Sequence, residues 1–260
     1  MVEYTRNKRP QKRPDDFVIG IQPISECIDS GKTVEKLLIR KGLRNDQFKD
    51  LFDKVRNLGI PFQFVPEPKL NSISRKNHQG VIAITSPVEY QQLDMLIPSL
   101  FENGETPCLL LLDGVTDVRN IGAIARSAEC LGAHGIIIGE KNVAPLNSAA
   151  VKSSSGALLK VPVCKVKNLR STVKYLADSG ISAIACTEKG SDSIWETNFT
   201  IPHVIIMGAE DIGIAENILE ICDSKTQIPM SGTIASLNVS VSAGVILNEV
   251  QRQRMTLNGE

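Results

Sequence analysis

Apolar and polar positions give the chain two textures. Up to about residue 88 the apolar stretches are short and interrupted. A brief segment at Phe17–Ile21, a strand pattern in VEKLLIR at 34–40, a helical pattern from about Arg44 to Leu58, and strand patterns in PFQFV at 61–65 and GVIAIT at 80–85 predict a small α/β unit. Residues 66–79, with two prolines and three basic residues, read as a surface loop. Residues 89–105, punctuated by Pro98, Asn103 and Gly104, read as a linker or connecting helix. From Thr106 onward the texture changes. CLLLLD at 108–113, GIIIG at 135–139, ISAIAC at 181–186 and HVIIMG at 203–208 are nearly continuous apolar runs, the pattern of strands covered on both faces. Helical stretches at about 121–132, 168–179 and 214–222 alternate with them, which predicts a parallel sheet flanked by helices. A chain of 260 residues accommodates two such domains.

Composition narrows the classes of function. Lys and Arg total 29, equal to Asp plus Glu, so overall charge does not announce a nucleic-acid partner. Locally it does: Arg6, Lys8, Arg9, Lys12 and Arg13 face one acid, Glu3, within residues 1–14, the composition of a basic arm that can lie along phosphates or of a solubilising tail. No run of about 18 apolar residues and no signal-type segment is present, so no membrane association and a cytoplasmic location are expected. The six cysteines are scattered without a CxxC pair, and His78, His134 and His203 are far apart, so no metal is assigned.

In an open α/β sheet, ligands bind beyond the carboxyl ends of the strands. Three of the loops there are unusual. After strand 108–113 the chain runs through a polar turn into a helix bearing Asn120, Gly122 and Arg126. Taken singly, Asn120 reads more simply as the helix N-cap and Arg126 as a solvated helix position. After 203–208, MGAEDIGI sets Glu210 above the strand end between Gly208 and Gly213, which permit tight turning. In IPMSGTIASLNVSVSAGVILNEVQ at 228–251 a strand end, a Gly/Ser turn and a long helix place Ser236 and Asn238 at a helix N-terminus. No GxGxxG occurs, which opposes a nucleotide-dependent oxidoreductase.

Together these segments resemble the three motifs of the SpoU/TrmH class of RNA ribose methyltransferases. Asn120, Gly122 and Arg126 match the first, Gly208, Glu210 and Gly213 the second, and Ile228, Pro229, Met230, Gly232, Ser236, Leu237, Asn238 and Val239 the third. The likeness spans about residues 17–255. Its N-terminal part, with His78-Gln79-Gly80, is similar to the ribosomal-protein-like domain of the 23S rRNA guanosine 2'-O-methyltransferase subgroup. Asp211-Ile212 departs from the pattern, as does Asn248, where an aromatic often precedes the terminal glutamate, here Glu249.

The resemblance implies a basic arm at 1–16, an RNA substrate-binding domain at 17–88, a linker at 89–105 and a methyltransferase domain at 106–260 whose parallel α/β sheet is tied in a deep trefoil knot. It implies a homodimer with sites near the subunit interface, S-adenosylmethionine held by backbone groups at Gly208, Ile228 and Leu237, and transfer of its methyl to a ribose 2'-hydroxyl, most simply of a 23S rRNA guanosine. Arg126 is implied as the group acting on that hydroxyl, with Asn120, Glu210, Ser236 and Asn238 positioning it and the ribose. Two alternatives remain: another RNA target such as tRNA, and a non-catalytic RNA-binding assembly factor, which the intact set of these five side chains opposes.

Overall fold

The computed structural model describes residues 16–234 and 236–258. The basic arm expected at 1–16 therefore lies, Asp16 apart, outside the described residues. The chain divides into two compact units, Met1–Pro87 and Val88–Glu260.

In the first unit the elements run β1 (Phe17–Ile19), α1 (Ile21–Asp29), β2 (Val34–Arg40), α2 (Asp46–Asn57), β3 (Phe62–Val65), α3 (Glu67–Ile73) and β4 (Val81–Thr85). The sheet order is β1-β4-β2-β3, with only the β2–β3 pair parallel. Alternation along the strands sorts the core into two layers. Leu37, Ile39, Val81 and Ala83 pack with α1 and α2, while Leu38, Val65 and Ile82 pack on Leu70 of α3.

Helix α3 corrects the reading of 66–79 as a loop, and α1 has no counterpart among the sequence expectations. The reason is the same for both. Pro66 is the N-cap and Pro68 lies in the first turn of α3, and Pro23 is the third residue of α1. The missing N–H has no intrahelical partner at those positions, so all three prolines start helices here, although Pro66 and Pro68 were read as marking a loop. Leu70, fully buried, then anchors α3 to the sheet.

His78-Gln79-Gly80 ties β4 to α1. His78 is buried, and its Nδ1 accepts from Gly80 N–H at 3.0 Å, so the neutral ring carries its proton on Nε2, 3.0 Å from the Asn71 Oδ1 acceptor. Gln79, at φ 52°, presents Oε1 to Ile21 N–H at 2.9 Å and satisfies one of the free donors at the start of α1.

The second unit continues with β5 (Tyr90–Gln91), α4 (Leu93–Glu102), β6 (Cys108–Asp113), α5 (Val118–Cys130), β7 (Gly135–Gly139), α6 (Ser148–Ser153), β8 (Val163–Val166), α7 (Leu169–Asp178), β9 (Ser182–Cys186), β10 (Asp192–Ser193), β11 (His203–Gly208), α8 (Glu216–Leu219), β12 (Ser224–Gln227) and α9 (Val239–Asn258). All eight strands are parallel, in the order β10-β12-β9-β11-β6-β7-β8-β5. The expected parallel α/β architecture is thus present. Leu110 and Leu112 face α5 and α9, whereas Leu109 and Leu111 face α4 and α7, which is why these strands are apolar at every position. The stretch at 89–105 contains α4, whose Leu93, Leu96 and Ile97 enter that second layer. Among the described residues no helix is long and apolar enough to cross a membrane.

Candidate functional site

Because the strands are parallel, the ends of β6, β9, β11 and β12 lie along one edge, and the loops leaving them meet there. Asp113, last residue of β6, accepts from Ala215 N–H at 2.8 Å and so fixes the loop that follows β11. That loop is a tight return: Gly213 N–H donates to Ala209 O at 2.9 Å, with Gly213 at φ +74°. A Cβ on Gly208 would stand 2.1 Å from the Gly213 carbonyl carbon, so only glycine allows the two backbone segments to touch.

The return delivers Glu210 to two partners remote in sequence. Its Oε1 accepts from Asn120 Nδ2 at 3.2 Å and from Asn238 Nδ2, while Asn238 Nδ2 also lies 3.2 Å from the Asn120 Oδ1 acceptor. Asn238 is held from its other side. Its Oδ1 accepts from Ser240 N–H at 3.0 Å and Ser240 Oγ at 2.6 Å, which makes it the N-cap of α9. Asn120, by contrast, lies inside α5 and does not cap it. Asp117 does, accepting from Arg119 N–H at 2.7 Å, and the Arg119 guanidinium holds its carboxyl well below the usual range, at about 2. Asn120 is thereby released to reach Glu210.

Beside this triangle opens a cavity of about 270 Å³, just below the roughly 300–1000 Å³ usual for small-molecule sites. Its walls come from Cys186–Glu188 at the end of β9 and just beyond, Met207–Ile214 at the end of β11 and in the loop that follows, Ile228 and Met230 after β12, and Ser236, Leu237, Val239 and Ser242 around the start of α9. Gly208, Ile228, Leu237 and Ser236 are therefore all at the cavity. Among the described residues, Glu188, Glu210 and Asp211 line it and no basic side chain does, so its charge suits a cationic ligand and repels a pyrophosphate. Burial pushes the Cys186 thiol up to about 12, so it stands there as an apolar wall.

Arg126 stands apart. Exposed on α5, it does not line the cavity and makes no hydrogen bond or ion pair among the described residues. Six residues along a helix place it roughly 9 Å along the axis from Asn120 and on a different face. Gly122, between them, lets α6 approach: a Cβ there would meet Ser153 Cβ at 2.5 Å. Sequence reasoning passed over Asp113, Asp117 and Glu188. The rule that sites lie beyond strand ends, applied to the run at 181–186, would have reached Thr187 and Glu188. Among the described residues no group of three or more His, Cys, Asp and Glu side chains is arranged to hold a metal.

Two family models match the chain: the SpoU rRNA Methylase family over residues 107–248, and RNA 2'-O ribose methyltransferase substrate binding over residues 17–91. The putative TrmH family tRNA/rRNA methyltransferase YacO of Bacillus subtilis is 33% identical over 239 residues, 92% of this chain and 96% of that protein. Among solved structures, the SpoU methyltransferase AviRb from Streptomyces viridochromogenes in complex with the cofactor AdoMet is similar at TM-score 0.57 and 27% identity, over 92% of this chain and 90% of that one. The A. aeolicus TrmH/SpoU tRNA modifying enzyme is similar at TM-score 0.54 and 31% identity, over 64% of this chain and 86% of that one.

Proposed function

The chain belongs to the SpoU rRNA methylase family, and from that premise we propose that it methylates the ribose 2'-hydroxyl of a guanosine in 23S rRNA, as a homodimer whose catalytic unit carries a deep trefoil knot. The coarser statement is established by membership: the chain is an S-adenosylmethionine-dependent RNA 2'-O-methyltransferase. The observation that carries the site assignment is the Asn120–Glu210–Asn238 triangle at the mouth of an acid-lined cavity.

The residues present fit the cofactor. Three carboxylates, with no basic side chain beside them among the described residues, suit a sulfonium, and backbone groups at Gly208, Ile228 and Leu237 would hold the adenosyl moiety. When bound, S-adenosylmethionine supplies a methyl group that already carries its leaving group, so the protein's own task is alignment and proton loss. Glu210 locks Asn120 and Asn238 to each other, and Ser236 lies at the same wall. A planar, always protonated guanidinium is a poor base, so Arg126 acts by orienting the 2'-hydroxyl or an adjacent phosphate while the proton leaves to another acceptor. Its separation from the cavity supports the dimer, because the partner's copy of α5 would bring an arginine to each site.

The first unit captures RNA and the second performs the chemistry, a division supported by the substrate-binding model at 17–91. In this division the arm is 1–16 and the capture domain 17–88, and the stretch 89–105, expected as a linker or connecting helix, belongs through β5 and α4 with the catalytic domain 106–260. The rRNA target rests on the presence of that first domain. The likeness to a tRNA modifying enzyme favours tRNA as the second reading. Mapping 2'-O-methyl marks in rRNA and tRNA of a deletion strain against its parent decides between them: loss of a guanosine mark from 23S rRNA is expected, and loss of a tRNA mark alone overturns the rRNA target.

A further inference from the structure

Strand β3 forms the outer edge of the first unit's sheet, where polar or charged side chains are the usual protection. Here it carries Phe62 and Phe64. Two residues apart, they share the sheet face of Leu37 and Ile39, their register partners on β2. Leu37 and Ile39 are fully buried beneath the helices, but Phe62 and Phe64 stay 40% and 46% exposed. They are not loose. Phe52 of α2 meets Phe62 edge-on at 5.0 Å between centroids and Phe64 at 6.1 Å, the two β3 rings lie 5.8 Å apart, and Phe48 stacks behind Phe52 at 5.5 Å. Four of the chain's seven phenylalanines thus form one cluster, fixed from behind and open in front.

Three exposed cations border the cluster. On α2, Lys49, Phe52 and Arg56 follow at helical spacing and form one stripe, so two exposed cations flank the aromatic edge. Lys41, just past β2, is joined through its N–H to Val65 O at 3.0 Å and adds a cation at the far end of β3. None of the three makes an ion pair among the described residues. Asp50 lies on the far side of α2 and Asp53 one turn from both Lys49 and Arg56, and the two acids line a groove shared with Asp29 of α1, where Lys54 is already paired with Asp29.

We propose that Phe62 and Phe64 are a stacking platform for unpaired bases of the RNA substrate, with Lys41, Lys49 and Arg56 engaging the flanking phosphates. The proposal rests on the reading that the first unit captures RNA. Aromatic faces accept any base, and only single-stranded loops and ends present theirs, so this surface selects unpaired nucleotides without selecting sequence.

The test uses the full chain and a single-stranded RNA oligonucleotide containing 2-aminopurine, beside the same sequence closed into a duplex. Phe62→Leu with Phe64→Leu keeps the apolar bulk and removes the rings. Single-strand affinity should fall about tenfold or more, fluorescence quenching should be lost, and the salt dependence should stay the same. Phe62→Tyr with Phe64→Tyr should restore binding and quenching, and duplex affinity should not change. Lys49→Ala with Arg56→Ala should lower the slope of log affinity against log salt by about 0.7 for each phosphate no longer neutralised. Wild-type single-strand affinity in the leucine variant overturns the platform, as does a change of oligomeric state in sedimentation, which would make the patch an interface between copies. Arg75→Glu with Lys76→Glu, exposed before β4, separates the two failures. Weakened RNA binding there, with none in the leucine variant, rejects the platform and keeps RNA capture; no effect in either rejects both.

Discussion

The two most distinctive polar motifs in the chain end in opposite conditions. His78-Gln79-Gly80 lies within one unit of local structure and closes on itself: both ring nitrogens of His78 are engaged, and Gln79 Oε1 is taken by the start of α1. Asn120, Glu210 and Asn238 come from positions up to 118 residues apart, converge beside a cavity, and leave Glu210 Oε2 with no hydrogen bond among the described residues. A motif that builds architecture uses up its hydrogen-bonding capacity inside the protein, whereas a motif that meets a ligand holds some back. Arg126, exposed and unpaired among the described residues, belongs with the second kind on that criterion.

The largest expected effect is therefore at Arg126. Arg126→Ala should lower methyl transfer by roughly 100- to 10,000-fold, the range of proton-transfer and positioning groups, and leave S-adenosylmethionine affinity nearly unchanged. Arg126→Lys should not rescue it, because a point charge does not reproduce the planar fork. Turnover and calorimetry on the same preparations check this, and cofactor affinity falling in parallel with rate would make Arg126 architectural. Gly208→Ala comes next. It forces a methyl group into the Gly213 backbone, and overpacking of about 1–3 kcal/mol corresponds to roughly a 5- to 150-fold loss of cofactor affinity if the strain stays in that loop. An alanine variant that binds the cofactor normally would show that the loop relaxes.

His78→Ala should do the reverse. The buried Gly80 N–H loses its acceptor, which costs about 1–3 kcal/mol of stability in urea titration, while cofactor affinity stays at the wild-type value. A cofactor defect in a folded His78→Ala protein would break the contrast between the two motifs.

What the sequence made legible follows the physics of each signal. Strands buried on both faces wrote themselves as apolar runs, so the runs at 108–113, 135–139 and 203–208 coincide with β6, β7 and β11. Side chains at strand ends were reached through the three loops, since convergence there is a property of parallel sheets. Short helices that begin with proline were not legible, because Pro23, Pro66 and Pro68 carry the same letter whether they start a helix or break one. The expected helix at 214–222 shrinks to Glu216–Leu219, a single turn with Ile218 buried. Glu188 sits in TEKG, a turn with no chemistry of its own until β9 and β11 bring it to the cavity. Nor could the sequence say which of Asp117 and Asn120 caps α5, since both residue types cap well and they lie within one turn of each other.

That last pair gives the smallest and sharpest test of the contrast, because it divides architecture from chemistry inside a single motif loop. Asp117 caps α5 and pairs with Arg119 at 2.7 Å, while Asn120, one turn on, faces Glu210. The folded-state pKa of Asp117 is depressed from its ordinary 3.8 to about 2, chiefly by the hydrogen bonds from Arg119. A carboxyl depressed in this way stabilises the fold fully above its unfolded value, and the contribution is lost as pH falls through about 2. Asp117→Asn keeps a capping oxygen but removes the charge. The urea midpoint of the wild type should exceed that of the variant by a small, salt-sensitive amount at neutral pH, with the difference closing between about pH 4 and pH 2. Methyl transfer at neutral pH should be the same in both. A midpoint difference that persists at about pH 2 would mean that the aspartate acts by shape and not by charge, and a loss of turnover in the variant would place Asp117 among the residues that meet the ligand.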